Sequence, residues 1–464
     1  MRAIAIVVTL LAATGSRAQH ERPAFPPAAS PPRRGAGDVP ADEGHGGDAA
    51  TPGSTANATP SILRLDDALR VARENQPQIR IARSQARAAS ARADEARAAL
   101  LPQVSGRASY ERATSNPSPG AGGTDWSTSG LWSFGATASQ LVYDFGQTTG
   151  RWSAARESAA AQRESERTTL SQSLLGVRSA YFGARAARDL VAVARDTLAN
   201  QDAHLRQVQG FVEVGTRPEI DLAQARAAVA NARVQLINAE NDHDTSRARL
   251  AQAMGLEGPV NFEIADDTLP PVDVEDQGTE QLVAEAIRAR PEIAALERQR
   301  RADEATVGAV RGGYVPALGV STGITTVGRT IPQAVPDWNA AATLTWNLFQ
   351  GGLTSAQERE ARANLDGAEA QLAALRQQVR LDVEQARLAV RASKASLSAS
   401  DDAAAAARDR LRLAEGRYRA GAGSIIELGD AQVAYTAAAA QQVQARYGLA
   451  TSRSRLLSAL GRDG

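Results

Sequence analysis

The 464-residue chain contains no cysteine. This absence excludes disulfides, a thiolate metal site and an acylated N-terminal cysteine. The net charge is zero, from 52 basic and 52 acidic residues, so no overall field draws the chain to nucleic acid. Aromatic residues make up only 4% of the chain, which makes an ordinary globular core hard to build. Ala, Arg, Gln, Glu and Leu dominate long stretches instead, as is typical of long helices and coiled coils.

Motifs for catalysis or for a cofactor are also missing from the sequence. There is no nucleophile paired with a base, no phosphate-binding loop and no cluster of metal ligands. The four histidines, His20, His45, His204 and His243, stand apart from one another. We therefore predict no enzyme activity, no catalytic residue, no metal site and no cofactor.

The N-terminus has the pattern of a secretory signal peptide over residues 1–18. Residues 3–13 form an apolar run of 11 residues, and Ser16 and Ala18 are small residues at positions −3 and −1 of a cleavage site. A single membrane anchor is the alternative, but a run of 11 residues is too short to span a bilayer as a helix. Residues 19–60 are rich in Pro, Gly and Ala, and we predict that they are disordered.

One long unit occurs twice in the rest of the chain. Pro77 and Pro102 in the first copy correspond to Pro291 and Pro316 in the second, with the same spacing of 25 residues. Such self-similarity indicates a duplicated structural unit rather than two unrelated domains.

The ends of the two copies correspond as well. Residues 214–255 align with residues 420–461 at a constant offset of 206 (421 − 215 = 206). We therefore place the first repeat at residues 61–256, a Pro- and Asp-rich connector at 257–278 and the second repeat at 279–464.

Within each repeat the hydrophobic pattern changes from a helical spacing to strict alternation. The alternation covers about residues 103–145 and about residues 317–349, and Gly- and Pro-rich loops divide each segment into two strands. All five tryptophans lie in or beside these segments, like the aromatic girdle of a membrane barrel. A soluble hairpin that packs on a helix is the alternative for each hairpin taken alone. Because four strands cannot close a barrel and an open edge is not tolerated in lipid, we predict an oligomer that shares one barrel.

Very long helices follow the strands. The chain has no proline between residues 151 and 217 and none after Pro336, and apolar residues recur at spacings of three and four. A helix over residues 353–418 would be roughly 99 Å long at ~1.5 Å per residue. A rod of that length needs neighbours, so we predict long helices that pack side by side.

The order of these features resembles the TolC family of outer-membrane channels. The resemblance covers residues 61–464 and rests on the duplicated pattern, with YDFG at 143–146 and LFQGG at 348–352 between strand and helix. It implies an α+β membrane protein in the outer membrane of a Gram-negative bacterium. It also implies a homotrimer with a 12-stranded β-barrel, four strands per chain, continued by a long α-helical barrel in the periplasm.

By the same resemblance, the turns between the long helices of each repeat form the periplasmic tip. Gly215 and Gly421 suit the left-handed position that ends a helix, and Thr216 and Ser424 are expected to cap the next helix. These two turns are where the resemblance places the gate of the channel.

Acidic residues on the second turn match the family positions that ring the axis. Glu427 and Asp430 are three residues apart, on one helix face, so a trimer would carry two stacked rings of carboxylates. Such rings predict cation selectivity and block by multivalent cations. Solvated acids that the helix dipole favours are the alternative.

Three further residues match, or replace, the family's links that hold the tip closed. Tyr418 is expected to donate a hydrogen bond to Asp221. The family's linking arginine falls at Gly423 in this chain, and Arg217 on the first turn is a candidate replacement.

The resemblance implies partners and a cargo. The partners are a periplasmic adaptor (membrane fusion) protein, an inner-membrane ABC or proton-driven transporter and outer-membrane lipid. Without an N-terminal cysteine the chain is similar to the non-lipidated members, among which type I protein secretion channels are prominent. We predict a type I protein (toxin) secretion channel. The outer-membrane component of a multidrug or metal efflux pump is the alternative, and an exported coiled-coil scaffold or adhesin is the alternative from a different class.

Overall fold

A computed structural model describes residues 61–115, 126–275 and 277–462. The signal peptide expected at residues 1–18 and the segment expected to be disordered at residues 19–60 lie outside the described residues.

The described residues form eight α-helices. They are α1 Leu65–Asn75, α2 Pro77–Ala98, α3 Gln147–Glu213, α4 Glu219–Met254, α5 Thr279–Ala289, α6 Pro291–Arg311, α7 Leu353–Arg419 and α8 Ile425–Ala459. The helices α3 and α7 have 67 residues each, which is roughly 100 Å at ~1.5 Å per residue. The prediction of two very long helices, one in each repeat, is therefore confirmed.

Six strands accompany the helices in the described part of the chain. They are β1 Ser61–Leu63, β2 Gln103–Ser115, β3 Ser127–Tyr143, β4 Phe262–Ile264, β5 Ala317–Gly328 and β6 Val335–Thr345. Four of them form one antiparallel sheet in the order β2-β3-β5-β6. The alternating segments thus fold as two hairpins, one from each repeat, and the pairing of β3 with β5 joins both repeats into one sheet.

The four-stranded sheet is open to solvent in a single chain. Every residue of β6 is exposed, and Val104 on β2 and Trp338 on β6 are 76% and 67% exposed. The outer edges of β2 and β6 carry no partner strand within the described residues. Unpaired edges beside exposed apolar side chains are a template for strands of another chain.

A short parallel pairing of β1 with β4 was not predicted. It joins the start of the first repeat to the segment that follows α4, and we call it the clip. Asp267, just after β4, accepts hydrogen bonds from the Leu65 backbone N–H at 2.9 Å and from the Tyr181 hydroxyl at 3.1 Å. The clip is therefore fixed to the middle of α3. Strands of three residues carry no readable alternation, which is why the sequence did not indicate them.

Three groups of buried apolar side chains hold the long helices together. The first lies around the clip, α3 and α8, and the second lies between α5, α7 and α8. Side chains of the predicted seams, including Leu174, Val177, Val379 and Val383, are fully buried in these two groups. The third group lies at the far end of the helices, where each long helix reverses direction. That end carries the residues that the sequence singled out.

Candidate functional site

Both long helices end in the same hydrogen-bonded reversal. After α3, the Gly215 N–H donates to the Val212 carbonyl and the Thr216 N–H donates to the Phe211 carbonyl, both at 2.9 Å. This 5→2 and 6→1 pair of bonds is the Schellman motif. It requires a left-handed residue at its centre, and Gly215 has a φ of 75°. The turn 214–218 together with the helix ends beside it, residues 211–224, is the first tip.

The second reversal repeats this geometry after α7. The Gly421 N–H donates to the Tyr418 carbonyl at 3.1 Å and the Ala422 N–H donates to the Arg417 carbonyl at 2.9 Å. Gly421 has a φ of 73°. The turn 420–424 together with the helix ends beside it, residues 417–430, is the second tip, and both glycines adopt the left-handed conformation that the sequence predicted.

The helices that follow the two tips begin differently. Ser424 is the N-cap of α8, and its hydroxyl accepts the Glu427 backbone N–H at 3.1 Å. The cap predicted at Thr216 is wrong, because Pro218 occupies the N-cap position of α4. The Thr216 hydroxyl instead donates to the Phe211 carbonyl at 2.9 Å, which reinforces the end of α3.

Tyr418 lies at the centre of the contact between the two tips. Its side chain is 1% exposed and packs edge-on against the His204 ring, with centroids 5.1 Å apart, and near the Phe211 ring. Burial raises the pKa of the Tyr418 hydroxyl; Arg217 opposes this rise and Asp221 adds to it. Residues of the first repeat therefore surround an aromatic ring of the second repeat.

The hydrogen bond predicted from Tyr418 to Asp221 is not made. Asp221 is buried in the first turn of α4, but the Tyr418 hydroxyl has no hydrogen-bond partner among the described residues. The ring is held by His204 and by the guanidinium of Arg217, whose Cζ lies 4.7 Å from the ring centroid. Contacts to the aromatic ring thus fix the position of the Tyr418 side chain, and no hydrogen bond of its hydroxyl to a described residue contributes.

Arg217 crosses from the first tip to the second. Besides covering the Tyr418 ring, its Nη2 donates to the Gly423 carbonyl at 3.3 Å. The two residues are equivalent in the two repeats, because 423 − 217 = 206, the same offset that relates Gly421 to Gly215. Arg217 of the first repeat therefore contacts Gly423, the equivalent residue of the second repeat, which has no side chain.

The two acids of the second tip have different surroundings. Asp430 is exposed. The Glu427 carboxylate is half-buried, and its Oε1 lies 3.0 Å from Nη1 of Arg417 at the end of α7. Sequence reasoning did not single out Arg417, although its position in the turn before the Schellman glycine brings it beside the first turn of α8.

His204 was treated as an isolated residue in the sequence, yet α3 carries it to the tips. It is 8% exposed, and burial lowers the pKa of its imidazole while Asp221 opposes the shift. Its position seven residues before Phe211, two helical turns along α3, is the only sequence signal for this contact. Within residues 61–115, 126–275 and 277–462, no group of three or more acidic or histidine side chains is placed to hold a metal ion.

No helix in the described ranges combines the length and the apolar character needed to cross a membrane.

Comparison with known proteins identifies the family. The model of the family described as outer membrane efflux protein matches residues 68–256 and 282–462. The chain belongs to this family. The two matched segments lie within the two repeats inferred from the sequence, and an outer-membrane location follows from this membership.

Two solved structures share the fold of this chain. The outer-membrane channel OprN superimposes with a TM-score of 0.77 at 22% identity, over 86% of this chain and 89% of that chain. CusC superimposes with a TM-score of 0.78 at 21% identity, over 87% of this chain and 93% of that chain. The TolC-like channel fold is thereby confirmed.

Three relatives of known name align with a smaller share of this chain than the solved structures do. The outer membrane efflux protein BepC of Brucella suis biovar 1 (strain 1330) is 26% identical over 289 residues, 61% of this chain and 60% of that protein. The pyoverdine export outer membrane protein OpmQ of Pseudomonas aeruginosa is 28% identical over 301 residues, 63% of each chain. The probable outer membrane lipoprotein SilC of Salmonella typhimurium is 24% identical over 253 residues, 52% of this chain and 50% of that protein. This chain therefore matches about half to three fifths of the length of these relatives.

Proposed function

We propose that three copies of this chain form an outer-membrane channel-tunnel that passes substrate out of the cell. The observation that carries the proposal is the four-stranded sheet, which is exposed and, among the residues that the structure describes, open at both edges. Four strands are too few to close a barrel, whereas 12 strands from three chains exceed the minimum of about eight. The 67-residue helices α3 and α7 would continue the barrel as a helical tunnel.

A trimer of this shape works with two other proteins in our proposal. A periplasmic adaptor would hold the tips, and an inner-membrane ABC or proton-driven transporter would deliver the substrate. The channel itself needs no bound cofactor, because conduction along a tunnel is passive.

Two cargo classes have separate support. The names of BepC and OpmQ, an efflux protein and a pyoverdine exporter, support a small-molecule cargo. Type I protein secretion, predicted from the sequence, is the second candidate. Deletion of the gene separates them: small-molecule export predicts increased susceptibility to toxic compounds with an unchanged set of secreted proteins, and protein secretion predicts the reverse.

We infer that the two tips form the gate of this channel. Arg217 and Tyr418 would link the two tips, with Asp221 buried beside them, and Gly215 and Gly421 would set the two turns. The carboxylates of Glu427 and Asp430 would face the axis of the trimer. The supporting observation is the contact of Arg217 with both the Tyr418 ring and the Gly423 carbonyl.

Cysteine labelling tests this gate, because the chain has no cysteine of its own. Asp430→Cys would be reconstituted in planar bilayers and treated with positively or negatively charged methanethiosulfonate reagents. We expect the two reagents to change conductance in opposite directions. Arg288→Cys, at an exposed position on the short helix α5, is the matched control and should not respond. Complete labelling of Asp430→Cys with unchanged conductance would place this residue away from the pore.

A further inference from the structure

An ion pair within the second tip has no counterpart in the first. Nη1 of Arg417 lies 3.0 Å from Oε1 of Glu427, and Nη2 of Arg417 also donates to the Ala422 carbonyl at 3.5 Å. The Arg417 side chain is 59% exposed and that of Glu427 is 38% exposed. At the equivalent position of the first repeat, where 417 − 206 = 211, the residue is Phe211.

The backbone of the second tip brings these two side chains together. The Arg417 carbonyl accepts the N–H groups of Ala422 and Gly423, at 2.9 and 3.0 Å, which folds the turn back onto the end of α7. The Ser424 cap then starts α8 at once, so that Glu427 lies in its first turn. The pair therefore spans the turn between two helices rather than one helix face.

The lack of a side chain at Gly423 is part of this arrangement. A Cβ atom at Gly423 would lie 3.2 Å from the Cβ of Arg417 and 3.0 Å from the backbone nitrogen of Tyr418. Both distances are shorter than ordinary van der Waals contact. A side chain at residue 423 would therefore require the turn or the stem of Arg417 to shift by a few tenths of an ångström.

Charge, rather than stability, is the main consequence of the pair. An exposed ion pair contributes little to folding because water screens it and both side chains lose rotamer freedom. The guanidinium nonetheless places a positive charge next to one of the two acids of the tip. The exposed carboxylate of Asp430, one turn further along α8, has no such neighbour among the ion pairs of the described residues.

We propose that Arg417 is a specificity-determining residue of the channel mouth, because its ion pair cancels the charge of Glu427 and leaves Asp430 to set the preference for cations. This inference rests on the proposed function, in which the second tip lines the pore. It also changes the net charge expected at the second tip of a trimer. The two rings of carboxylates, from Glu427 and Asp430, would together carry the net charge of one ring.

Ion selectivity of the full-length protein in planar bilayers tests the inference. The cation-to-anion permeability ratio would be measured in a salt gradient at about 0.1 M ionic strength, where the Debye length is about 10 Å. We expect Arg417→Gln to raise the ratio at least about threefold, because one unit charge at about 6 Å in water changes the local concentration of a monovalent cation by about this factor and that of an anion in the opposite direction. Glu427→Gln should lower it by a similar factor, and the double variant should return to the wild-type ratio.

Two controls accompany these variants. Arg362→Gln removes another exposed arginine of α7, paired with Glu358 at 2.6 Å near the opposite end of the helix, and should leave the ratio unchanged. Repeating the measurement at about 1 M salt, where the Debye length is about 3 Å, should reduce the effect of Arg417→Gln. Gel mobility with and without heating shows that each variant still assembles.

The outcomes separate this inference from the proposed function. An unchanged or lowered ratio in Arg417→Gln, with selectivity still lost in Asp430→Asn, overturns the role of Arg417 alone. Unchanged ratios in both Arg417→Gln and Asp430→Asn overturn the placement of the second tip in the pore as well. Absence of any conductance from an assembled wild-type protein overturns the channel itself.

Discussion

The two tips have the same backbone and different side chains. Both long helices end in a Schellman motif with a left-handed glycine, at Gly215 and at Gly421. The first tip then carries Arg217 where the second carries Gly423, and this arginine reaches across to the second tip. A duplicated turn has thus kept its shape while its side chains became complementary.

The acids of the two tips show the same divergence. Asp221 and Glu427 are equivalent residues, since 427 − 221 = 206, but Asp221 is buried and Glu427 lies at the surface beside Arg417. The first tip therefore supplies contacts between the repeats, and the second supplies charge that faces water. The following predictions test whether this division of roles holds.

The largest effect is expected at Tyr418, the ring on which both tips pack. Tyr418→Ala should destabilise the protein by about 3–5 kcal/mol, the usual cost of removing a buried aromatic side chain. Val212→Ala, the equivalent change in the first repeat (418 − 206 = 212), should cost less because Val212 is only half-buried. Thermal unfolding of the purified variants measures the difference, and equal losses would argue against a central role for Tyr418.

Tyr418→Phe sharpens this test, because the hydroxyl is buried without a partner. Removing an unsatisfied polar group should leave stability unchanged or raise it by about 1 kcal/mol. Increased resting conductance in this variant would contradict the structure, because it would indicate that the Tyr418 hydroxyl does donate a hydrogen bond to Asp221.

The shared backbone predicts equal responses at the two glycines. Gly215→Ala and Gly421→Ala should each cost about 1–2 kcal/mol, because the left-handed conformation is strained for an L-residue with a side chain. The matched controls are Gly210→Ala and Gly416→Ala, equivalent helical glycines where an added Cβ meets no atom within 4 Å. These controls should stabilise the helices by about 0.5–1 kcal/mol. A loss at one tip only, measured by thermal unfolding, would show that the two turns are not equivalent.

Arg217 tests whether the contact between the tips holds the gate. Arg217→Gln should remove a cation–π contact of about 0.5–1 kcal/mol and raise the resting open probability about two- to fivefold. Single-channel recording measures this change. Arg206→Gln, at an exposed arginine of α3, is the control and should have no effect. The same open probability in both variants would mean that other contacts close the tip.

The smallest effect is expected from pH. Burial lowers the pKa of His204 in the folded tip, so the neutral ring is favoured there, although the nearby Asp221 partly opposes this shift. The stabilisation by neutral His204 is complete above pH ~6.5 and is lost as the pH falls through the lowered pKa. Resting conductance should therefore rise on acidification, and His204→Gln should reduce this rise.

His243 provides a matched control for the pH experiment. Burial also lowers the pKa of His243, but this residue lies on α4 far along the chain from the tips. His243→Gln should keep the pH dependence of the wild type. An unaltered pH response in His204→Gln would exclude His204 as its origin.

Much of the fold could be predicted from the sequence because its signals are periodic. Alternation located the strands, spacing of three and four located the long helices, and a glycine, Gly215 or Gly421, marked each reversal. The side-chain contacts between the tips were harder to predict from the sequence, because they depend on how α3 and α7 are rotated about their axes. The missing Tyr418–Asp221 bond and the unforeseen partners His204 and Arg417 all follow from that rotation.

The clip holds α3 at its middle, so the part of α3 between the clip and the first tip can act as a lever arm. From Tyr181, held at Asp267, to the helix end at Glu213 there are 32 further residues (213 − 181 = 32). At ~1.5 Å per residue this arm is roughly 48 Å long. A tilt of about 5° around the clip therefore moves the first tip by about 4 Å. A displacement of that size would break the hydrogen bond from Arg217 to the Gly423 carbonyl, which is 3.3 Å long.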